Sequence, residues 1–404
     1  MSVLRPFRAL RPPAALAARV ASPPYDVVST DEARALAVGN RDSYLRVSRP
    51  EIDLPAGTDE HADQVYAQGK KNLDELVKRG VLVAEPAPRY FVYAQRMGRH
   101  RQVGLVACAS VDEYDRGLIK KHERTRADKE EDRVRHVDTL SAHDEPVFLT
   151  YRAVPAIDAL VAEVQRAAPE YDLVTQDAVA HQLWVVPDAV AEKLEAHFCA
   201  VPALYVADGH HRSAAASRVH AKRKGQPGDH GQFLAVVFPD DQMQILAYNR
   251  LVRDPRQRSP MALLAALQEV LDLEPAASPA PDHPQAFGIY LGKRWYHAHV
   301  RPGTFDTSGP VARLDCSLAQ DQILEPLFGI KDPRTSKDVD FVGGIRGHEE
   351  LERRVDGEGW SLALHLYPTG VEQVMSVSDA GLIMPPKSTW FEPKLRSGLF
   401  VHPF

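Results

Sequence analysis

Cysteine is scarce in this sequence of 404 residues. The three cysteines, Cys108, Cys199 and Cys316, are far apart, and none forms a CxxC pair. A disulfide framework and a CxxC metal site are therefore excluded, because both need paired or closely spaced cysteines. Such usage is typical of a reducing compartment, and we expect a cytoplasmic protein.

Long apolar runs and an excess of positive charge are also lacking. No run of about 18 apolar residues, the length that a transmembrane helix needs, is present. The alanine-rich segment at 14–20 is interrupted by Arg19, unlike the apolar part of a secretion signal. Lysine and arginine (49) are outnumbered by aspartate and glutamate (55), which gives a formal net charge of −6. We therefore expect no membrane anchor and no nucleic-acid partner.

Helical and strand patterns are mixed along the chain. Hydrophobic residues make up 44% of it, enough for a large core or several smaller ones. The charged stretch from Asp59 to Arg79 is typical of a helix, and the apolar runs at 90–94 and 103–109 predict a hairpin across Gly98. This alternation predicts a mixed α/β (α+β) fold.

The chain divides into four predicted parts. They are a helical lead-in at 1–85, a core at 86–253, a helix with a Pro/Ala linker at 254–285, and a C-terminal α+β portion at 286–404 whose tail returns to the core. The linker is assigned to 275–284, because proline and alanine there follow neither a helix nor a strand pattern.

A turn between an apolar strand and a helix carries the chemistry that the sequence indicates most strongly. Unpaired N–H groups at a helix N-terminus bind anions, glycine allows an anion to approach closely, and arginine adds a forked charge. The predicted phosphate-binding loop comprises Gly209, His210, His211 and Arg212. Asp208, which precedes it, is predicted to be catalytic and to hold Mg²⁺ or orient a hydroxyl, since hard cations prefer carboxylate oxygens.

Two other interpretations of this turn stay open. Asp208 would only cap the helix if the histidines were ordinary surface residues. Two adjacent histidines also suggest zinc, but side chains that are neighbours in sequence point apart at a helix start, and the sequence shows no complete set of ligands.

At this turn the sequence resembles a known family. Residues 205–216 are similar to the signature of the domain of unknown function 1015 family, and the resemblance extends from 22–26 to 384–394. The turn also resembles the phosphate-binding turn of the ParB/sulfiredoxin-like fold, which implies a nucleotide-binding core of that type, with large insertions, at 86–253. The motif is similar to that of free-serine kinases, which phosphorylate L-serine with a nucleotide and Mg²⁺.

A second segment resembles the same kinases. His122 and Glu123 are similar to the His-Glu pair upstream of their phosphate turn, which implies that Glu123 takes the proton from the substrate hydroxyl. Lys129 and Arg133, four residues apart, share one face of a helix and are predicted to bind nucleotide phosphates. The charged segment is also compatible with a solvated helix that has i,i+4 ion pairs.

Four residues are candidates for contacts with the substrate. They are Asp26, Thr125, Thr389 and Lys394. The tail at 384–394 contains prolines and two aromatic residues where a chain end is usually polar and disordered. It either packs against the core or returns to the active site.

These features predict a nucleotide-dependent kinase for free L-serine or a related small hydroxy amino acid, with ATP or ADP as donor and Mg²⁺ as cofactor. The alternative is a ParB-like nucleotide-binding switch, for which the acidic composition provides no basic DNA-binding region. Sulfiredoxin-like repair would need a cysteine in the loop, where His210 and His211 stand. A homodimer is compatible with the sequence.

Overall fold

The chain forms two compact units in a computed structural model that describes residues 2–404. The first unit contains the residues up to Met243 together with Pro393–Phe404. The second unit is Gln244–Glu392. The C-terminal residues therefore belong to the same unit as the phosphate-binding loop predicted from the sequence.

The first unit contains most of the helices and the larger sheet. Its helices are α1 (Ala14–Val20), α2 (Thr30–Ala37), α3 (Leu45–Ser48), α4 (Asp63–Lys78), α5 (Val111–Asp115), α6 (Ala127–Leu140), α7 (Pro155–Val164), α8 (Asp188–Cys199) and α9 (His210–Lys222). Its strands are β1 (Leu4–Arg5), β2 (Leu10–Arg11), β3 (Val83–Ala84), β4 (Phe91–Met97), β5 (His100–Ser110), β6 (Ile119–Lys120), β7 (Ala142–His143), β8 (Val147–Tyr151), β9 (Tyr171–Val174), β10 (Ala180–Val185), β11 (Leu204–Asp208), β12 (Gln232–Pro239) and a short C-terminal strand, His402–Pro403. The predicted helix at 59–79 is confirmed as α4, and the predicted hairpin is confirmed as β4 and β5. No helix within 2–404 is both long and apolar enough to cross a membrane.

Nine strands form a mixed sheet in this unit. Their order is β6-β11-β8-β12-β5-β4-β10-β9, and β1 pairs with β5. The pairs β6–β11 and β8–β12 are parallel, whereas the other pairs are antiparallel. The predicted mixed α/β class is confirmed. Because parallel neighbours end at the same edge of a sheet, the segments that follow β6 and β11 lie side by side.

The central strands of this sheet are buried over most of their length. Every residue from Gln102 to Ala109 on β5 and from Phe233 to Pro239 on β12 is buried. Strands covered on both faces show continuous apolar runs instead of alternation. The sheet is therefore a rigid support for the loops at its edges.

Helices α6 and α9 pack against each other beside the sheet. Val134 and Val137 of α6 contact Ala215 and Val219 of α9, and Phe404 packs against them. The charged segment at 120–143 thus contains a helix with one apolar face. This packing holds the N-terminal end of α9 near the start of α6.

The second unit is built around a six-stranded antiparallel sheet. Its helices are α10 (Pro260–Val270), α11 (Asp315–Ala319), α12 (Glu325–Phe328), α13 (Gly347–Gly357) and α14 (Val371–Asp379). Its strands are β13 (Gln244–Leu246), β14 (Tyr248–Val252), β15 (Leu271–Pro275), β16 (Ala286–Leu291), β17 (Arg294–Val300), β18 (Val339–Gly343), β19 (Leu362–Leu366) and β20 (Trp390–Glu392). The sheet order is β15-β17-β16-β19-β14-β18, and β13 pairs with β20 separately.

The structure divides the chain differently from the predicted boundaries at 85, 253 and 285. Residues 1–85 do not stand apart, since β1 pairs with β5 of the large sheet. The predicted linker is an internal part of the second unit, because β15 pairs with β17 on one side of it and β16 pairs with β17 on the other. Its composition is that of a linker, but its ends are fixed by strand pairing.

Candidate active site

The turn from β11 into α9 is shaped by Gly209. The pairing of β11 with β8 shifts register between Val206 and Asp208, and Gly209 then takes a left-handed conformation with φ of 94°. No side chain caps the start of α9 within the described chain. The first N–H groups of a helix have no partner inside the helix, so this end presents unpaired donors and the positive end of the helix dipole.

Replacing Gly209 by alanine is expected to destabilise the protein by about 1–2 kcal/mol through the left-handed backbone, and by about 1 kcal/mol more through crowding. The added Cβ would lie 3.0 Å from Nε of Arg212. Gly225→Ala is the matched control, because Gly225 has φ of +84° and no neighbouring atom within 4 Å. Urea unfolding of both variants measures the difference, and equal losses would show that Arg212 is not held against the glycine.

Asp208 is already engaged on both carboxylate oxygens. Oδ2 accepts a hydrogen bond from Nζ of Lys394 at 3.0 Å, and Oδ1 accepts one from the Gly209 N–H at 2.8 Å. Although burial acts in the opposite direction, Lys394 and Arg212 hold the pKa of Asp208 well below its usual range. The carboxylate is therefore ionised, and Lys394 would compete with a metal ion or a hydroxyl for Oδ2.

Arg212 lies buried beneath the turn. Nη1 donates to the Pro146 carbonyl oxygen, and Nη2 lies 3.8 Å from Oδ1 of Asp208. Burial opposes its charge, but the carboxylates of Asp26 and Asp208 raise the pKa of Arg212 above its ordinary value. Nε has no hydrogen-bond partner. A buried guanidinium with a free donor is suited to an anion at the turn.

His122, Glu123 and His210 meet at the edge of the sheet where β6 and β11 end. The rings of His122 and His210 are 4.4 Å apart and nearly perpendicular, and Oε2 of Glu123 lies 3.9 Å from Nδ1 of His210. Burial lowers the pKa of His122 to about 4 and the pKa of His210 well below 6.5. Both imidazoles are therefore neutral near pH 7. Glu123, the predicted base, therefore lies beside His210, the first residue of α9.

The remaining residues of the two predicted segments hold the loop before α6. Nε2 of His211 accepts a hydrogen bond from the Arg126 N–H at 3.1 Å. Thr125 Oγ1 donates to Oε2 of Glu130 at 2.6 Å, so Thr125 fixes the entry to α6. These contacts connect the predicted phosphate loop to the segment that carries Glu123.

Lys129 and Arg133 line the same small cavity, as their spacing on α6 predicts. The Arg133 guanidinium lies 3.8 Å from the centre of the Tyr25 ring and 2.8 Å from the carboxylate of Asp132. Arg133 also lines a second cavity together with Arg212. Of the two predicted phosphate ligands, Arg133 is therefore the one that shares a cavity with Arg212.

The sequence analysis did not identify Glu145, a buried residue that lines the same cavity as Arg133 and Arg212. Oε1 of Glu145 accepts hydrogen bonds from the Tyr25 N–H at 3.1 Å and from Ser397 Oγ at 2.7 Å. Asp26, a predicted substrate contact, acts electrostatically on both Glu145 and Arg212. An acidic pair directly before the apolar strand β8 was the available signal in the sequence.

The pH dependence of stability is expected to reveal Glu145. Burial and the Asp144 carboxylate raise the pKa of Glu145 from 4.5 to about 7, against the pull of Arg212 and Arg133. Between these values the folded state binds more protons than the unfolded state, so this group's contribution to stability falls as pH rises, by up to about 1.4 kcal/mol per pH unit.

The measurement is chemical denaturation at several pH values of the protein and of Glu145→Gln. Buried histidines such as His122, whose pKa is lowered, act with the opposite sign, so the difference between the two proteins carries the result. We expect the stability of the original protein to fall relative to the variant between about pH 4.5 and pH 7. A constant difference would contradict the assignment.

Thr389 lies in the second unit, whereas the other predicted site residues lie in the first. Lys394 belongs to the first unit and contacts Asp208, as described above. Of the two predicted site residues in the tail, Lys394 therefore lies at the turn. For Thr389 a substrate contact stays a prediction.

Comparison with known proteins identifies a family but no named relative. No match was found among curated proteins. A conserved hypothetical protein from Pyrococcus furiosus is similar at 14% identity and a TM-score of 0.36, over 73% of this chain and 95% of that one. A free serine kinase in complex with AMP is similar at 14% identity and a TM-score of 0.37, over 73% and 92%. SbnI with a C-terminal truncation, from Staphylococcus aureus, is similar at 11% identity and a TM-score of 0.36, over 74% and 87%.

These structural similarities carry no correspondence between individual residues. The family model described as "Protein of unknown function (DUF1015)" matches residues 4–317, which include β11, the turn and α9. The family predicted from the sequence is confirmed. Because the match spans more than half of its 404 residues, the chain belongs to the DUF1015 family.

Proposed function

We propose that this protein is a nucleotide-dependent kinase that phosphorylates the hydroxyl of free L-serine or a related small hydroxy amino acid. The observation that carries the proposal is the position of Glu123, 3.9 Å from His210 at the uncapped start of α9. A carboxylate beside an anion-binding helix end brings a proton acceptor and a phosphate site together. Phosphoryl transfer to a hydroxyl requires both.

The nucleotide phosphates would bind at the turn. Backbone N–H groups at the start of α9 and Nε of Arg212 offer donors, and Lys394 adds a positive charge at the mouth of the turn. Phosphate oxygens would compete with Asp208 for Lys394. The preorganised donors would stabilise the charge on the transferred group, which is the main contribution of proteins to this reaction.

The chemical step follows from the position of Glu123. The oxygen of the substrate hydroxyl attacks the terminal phosphorus of ATP or ADP, and the bond from that phosphorus to the bridging oxygen breaks. The hydroxyl proton passes to the Glu123 carboxylate, and the shortened nucleotide leaves with the bond electrons. Glu123 is 38% exposed, so a small substrate can reach it.

Magnesium fits this scheme at Asp208 under one condition. The carboxylate is of the type that Mg²⁺ prefers, but Oδ2 is occupied by Lys394. Asp208 would hold the ion once Lys394 had turned to the phosphates. When bound, Mg²⁺ would neutralise charge on the phosphates.

The test is an assay of the full chain with Mg²⁺ and either ATP or ADP. L-serine, L-threonine and L-homoserine are offered as acceptors, with L-alanine as the matched acceptor that lacks a hydroxyl. Nucleotide conversion and phosphorylated products are followed by mass spectrometry. We expect O-phosphoserine from the original protein, none from Asp208→Asn, and no product from L-alanine. Nucleotide binding without a product from any hydroxy amino acid would contradict the proposal.

A further inference from the structure

Three side chains with metal-binding atoms lie together at the edge of the large sheet. One ligand atom from each of His122, Glu123 and His210 lies within 4.8 Å of the other two. The parallel pairing of β6 with β11 brings them together, because His122 and Glu123 follow β6 and His210 follows β11. The arrangement therefore depends on the fold and not on a local sequence motif.

The two histidines of this group are buried with unpartnered nitrogens. His122 is 1% exposed and His210 is 5% exposed. Both ring nitrogens of His122 and Nε2 of His210 have no hydrogen-bond partner. Polar atoms that are buried in a native protein are normally paired with protein, water or a ligand. His122 therefore has two buried ring nitrogens that a bound species would satisfy.

Two other buried histidines of the same unit are hydrogen-bonded, whereas His143 and His402 each have one nitrogen without a partner. Nε2 of His136 lies 3.1 Å from the carboxylate of Asp144, and Nδ1 of His181 lies 2.7 Å from the Tyr93 hydroxyl. Within 2–404, His122 is alone in having both nitrogens buried and unpartnered. The backbone of Val206 favours the protonated ring, but it does not reach either nitrogen with hydrogen-bond geometry.

We propose that His122, Glu123 and His210 bind one divalent transition-metal ion of the zinc type. Imidazole nitrogen together with a carboxylate oxygen is a donor set that Zn²⁺, Co²⁺ and Mn²⁺ accept. Ligands at about 2.1 Å from a tetrahedral ion lie about 3.4 Å from one another, so modest side-chain rotation closes the present spacing. Three protein ligands leave a fourth position for water or a substrate oxygen.

This site is distinct from the magnesium site proposed at Asp208. Mg²⁺ prefers oxygen ligands and retains several waters, whereas two of the three donors here are imidazoles. The site goes beyond the proposed kinase activity and does not depend on it. Glu123 bound to a metal ion would not be a free proton acceptor, so the two roles are alternative states of one carboxylate.

The experiment measures metal binding by the full chain without nucleotide or amino acid. The protein is stripped with a chelator and titrated with Co²⁺, whose visible absorption reports nitrogen and oxygen coordination, and Zn²⁺ is then added as a competitor. We expect one Co²⁺ per chain, displaced by Zn²⁺. His122→Asn and His210→Asn are each expected to weaken binding at least about 10-fold.

His197→Asn is the matched control, because His197 is exposed on α8 and lies outside the set of three. It is expected to bind Co²⁺ as the original protein does. Glu123→Gln, a half-exposed position where a change of fold is not expected, should also weaken binding. Circular dichroism of each variant separates a lost ligand from a lost fold.

Two results would overturn the proposal. One is the absence of Co²⁺ and Zn²⁺ binding by the folded protein. The other is binding that stays unchanged in folded Glu123→Gln and in both histidine variants, which would place the ion elsewhere. Because no nucleotide is present, these results leave the kinase proposal unaffected, and failure of the kinase assay leaves metal binding unaffected.

Discussion

Glu123→Gln is expected to lower the turnover of the proposed kinase by about 10²- to 10⁴-fold, the usual contribution of a general base. The amide keeps the size of the side chain beside His210 but cannot accept the hydroxyl proton. Nucleotide binding should be unchanged, because the phosphates are held at the turn and not by Glu123. Turnover and nucleotide affinity are measured separately, by product formation and by calorimetry.

Glu131→Gln is the matched control for this substitution. Glu131 lies on α6 and pairs with Arg218 at 2.5 Å on an exposed surface, away from His210. Turnover of this variant should equal that of the original protein. If Glu123→Gln kept full turnover while Asp208→Asn lost it, another group would have to accept the proton.

The pH profile separates the two roles of Glu123. A base that loses its function on protonation gives an acidic limb in the dependence of turnover on pH, and the glutamine variant lacks that limb. The role as a metal ligand is measured separately, by the Co²⁺ absorption of the same variant without nucleotide. The same substitution thus distinguishes a proton acceptor from a ligand.

Local features of the site could be predicted from the sequence. The apolar strand and the helix predicted on either side of the turn are found at Leu204–Asp208 and His210–Lys222. The apolar run, the Asp-Gly turn and the helix-forming segment are each contained within a few residues, so periodicity and turn chemistry describe them. The family resemblance was likewise carried by short motifs.

Long-range contacts could not be predicted in the same way. Lys394 and Asp208 are 186 residues apart in the chain, and their contact depends on the return of the C-terminal segment to the first unit. His122 meets His210 only because β6 lies beside β11 in the sheet order. The two residues that join His210 in the proposed metal site, His122 and Glu123, follow a neighbouring strand, which periodicity does not reveal, so the sequence showed no ligand set.

Arg212→Met is expected to lower the free energy of unfolding by about 3 kcal/mol at pH 8, because it removes one partner of a buried charge cluster. Methionine retains the apolar volume but leaves the Pro146 carbonyl without its donor and removes one of the two arginines that compensate the charge of Glu145. The loss should be smaller at pH 5, where Glu145 is neutral in both proteins, since its pKa is raised to about 7.

Arg218→Met on the same helix isolates the effect of burial. The Arg218 side chain is 43% exposed and pairs with Glu130 and Glu131 at the surface, so its removal should cost about 0–1 kcal/mol. Urea unfolding at both pH values compares the two variants. Equal losses, or a loss for Arg212→Met that does not grow with pH, would mean that Arg212 does not neutralise Glu145. A loss that grows with pH would show that Arg212, beneath the predicted phosphate loop, also stabilises the fold. Its role in binding must then be tested at a pH where Arg212→Met stays folded.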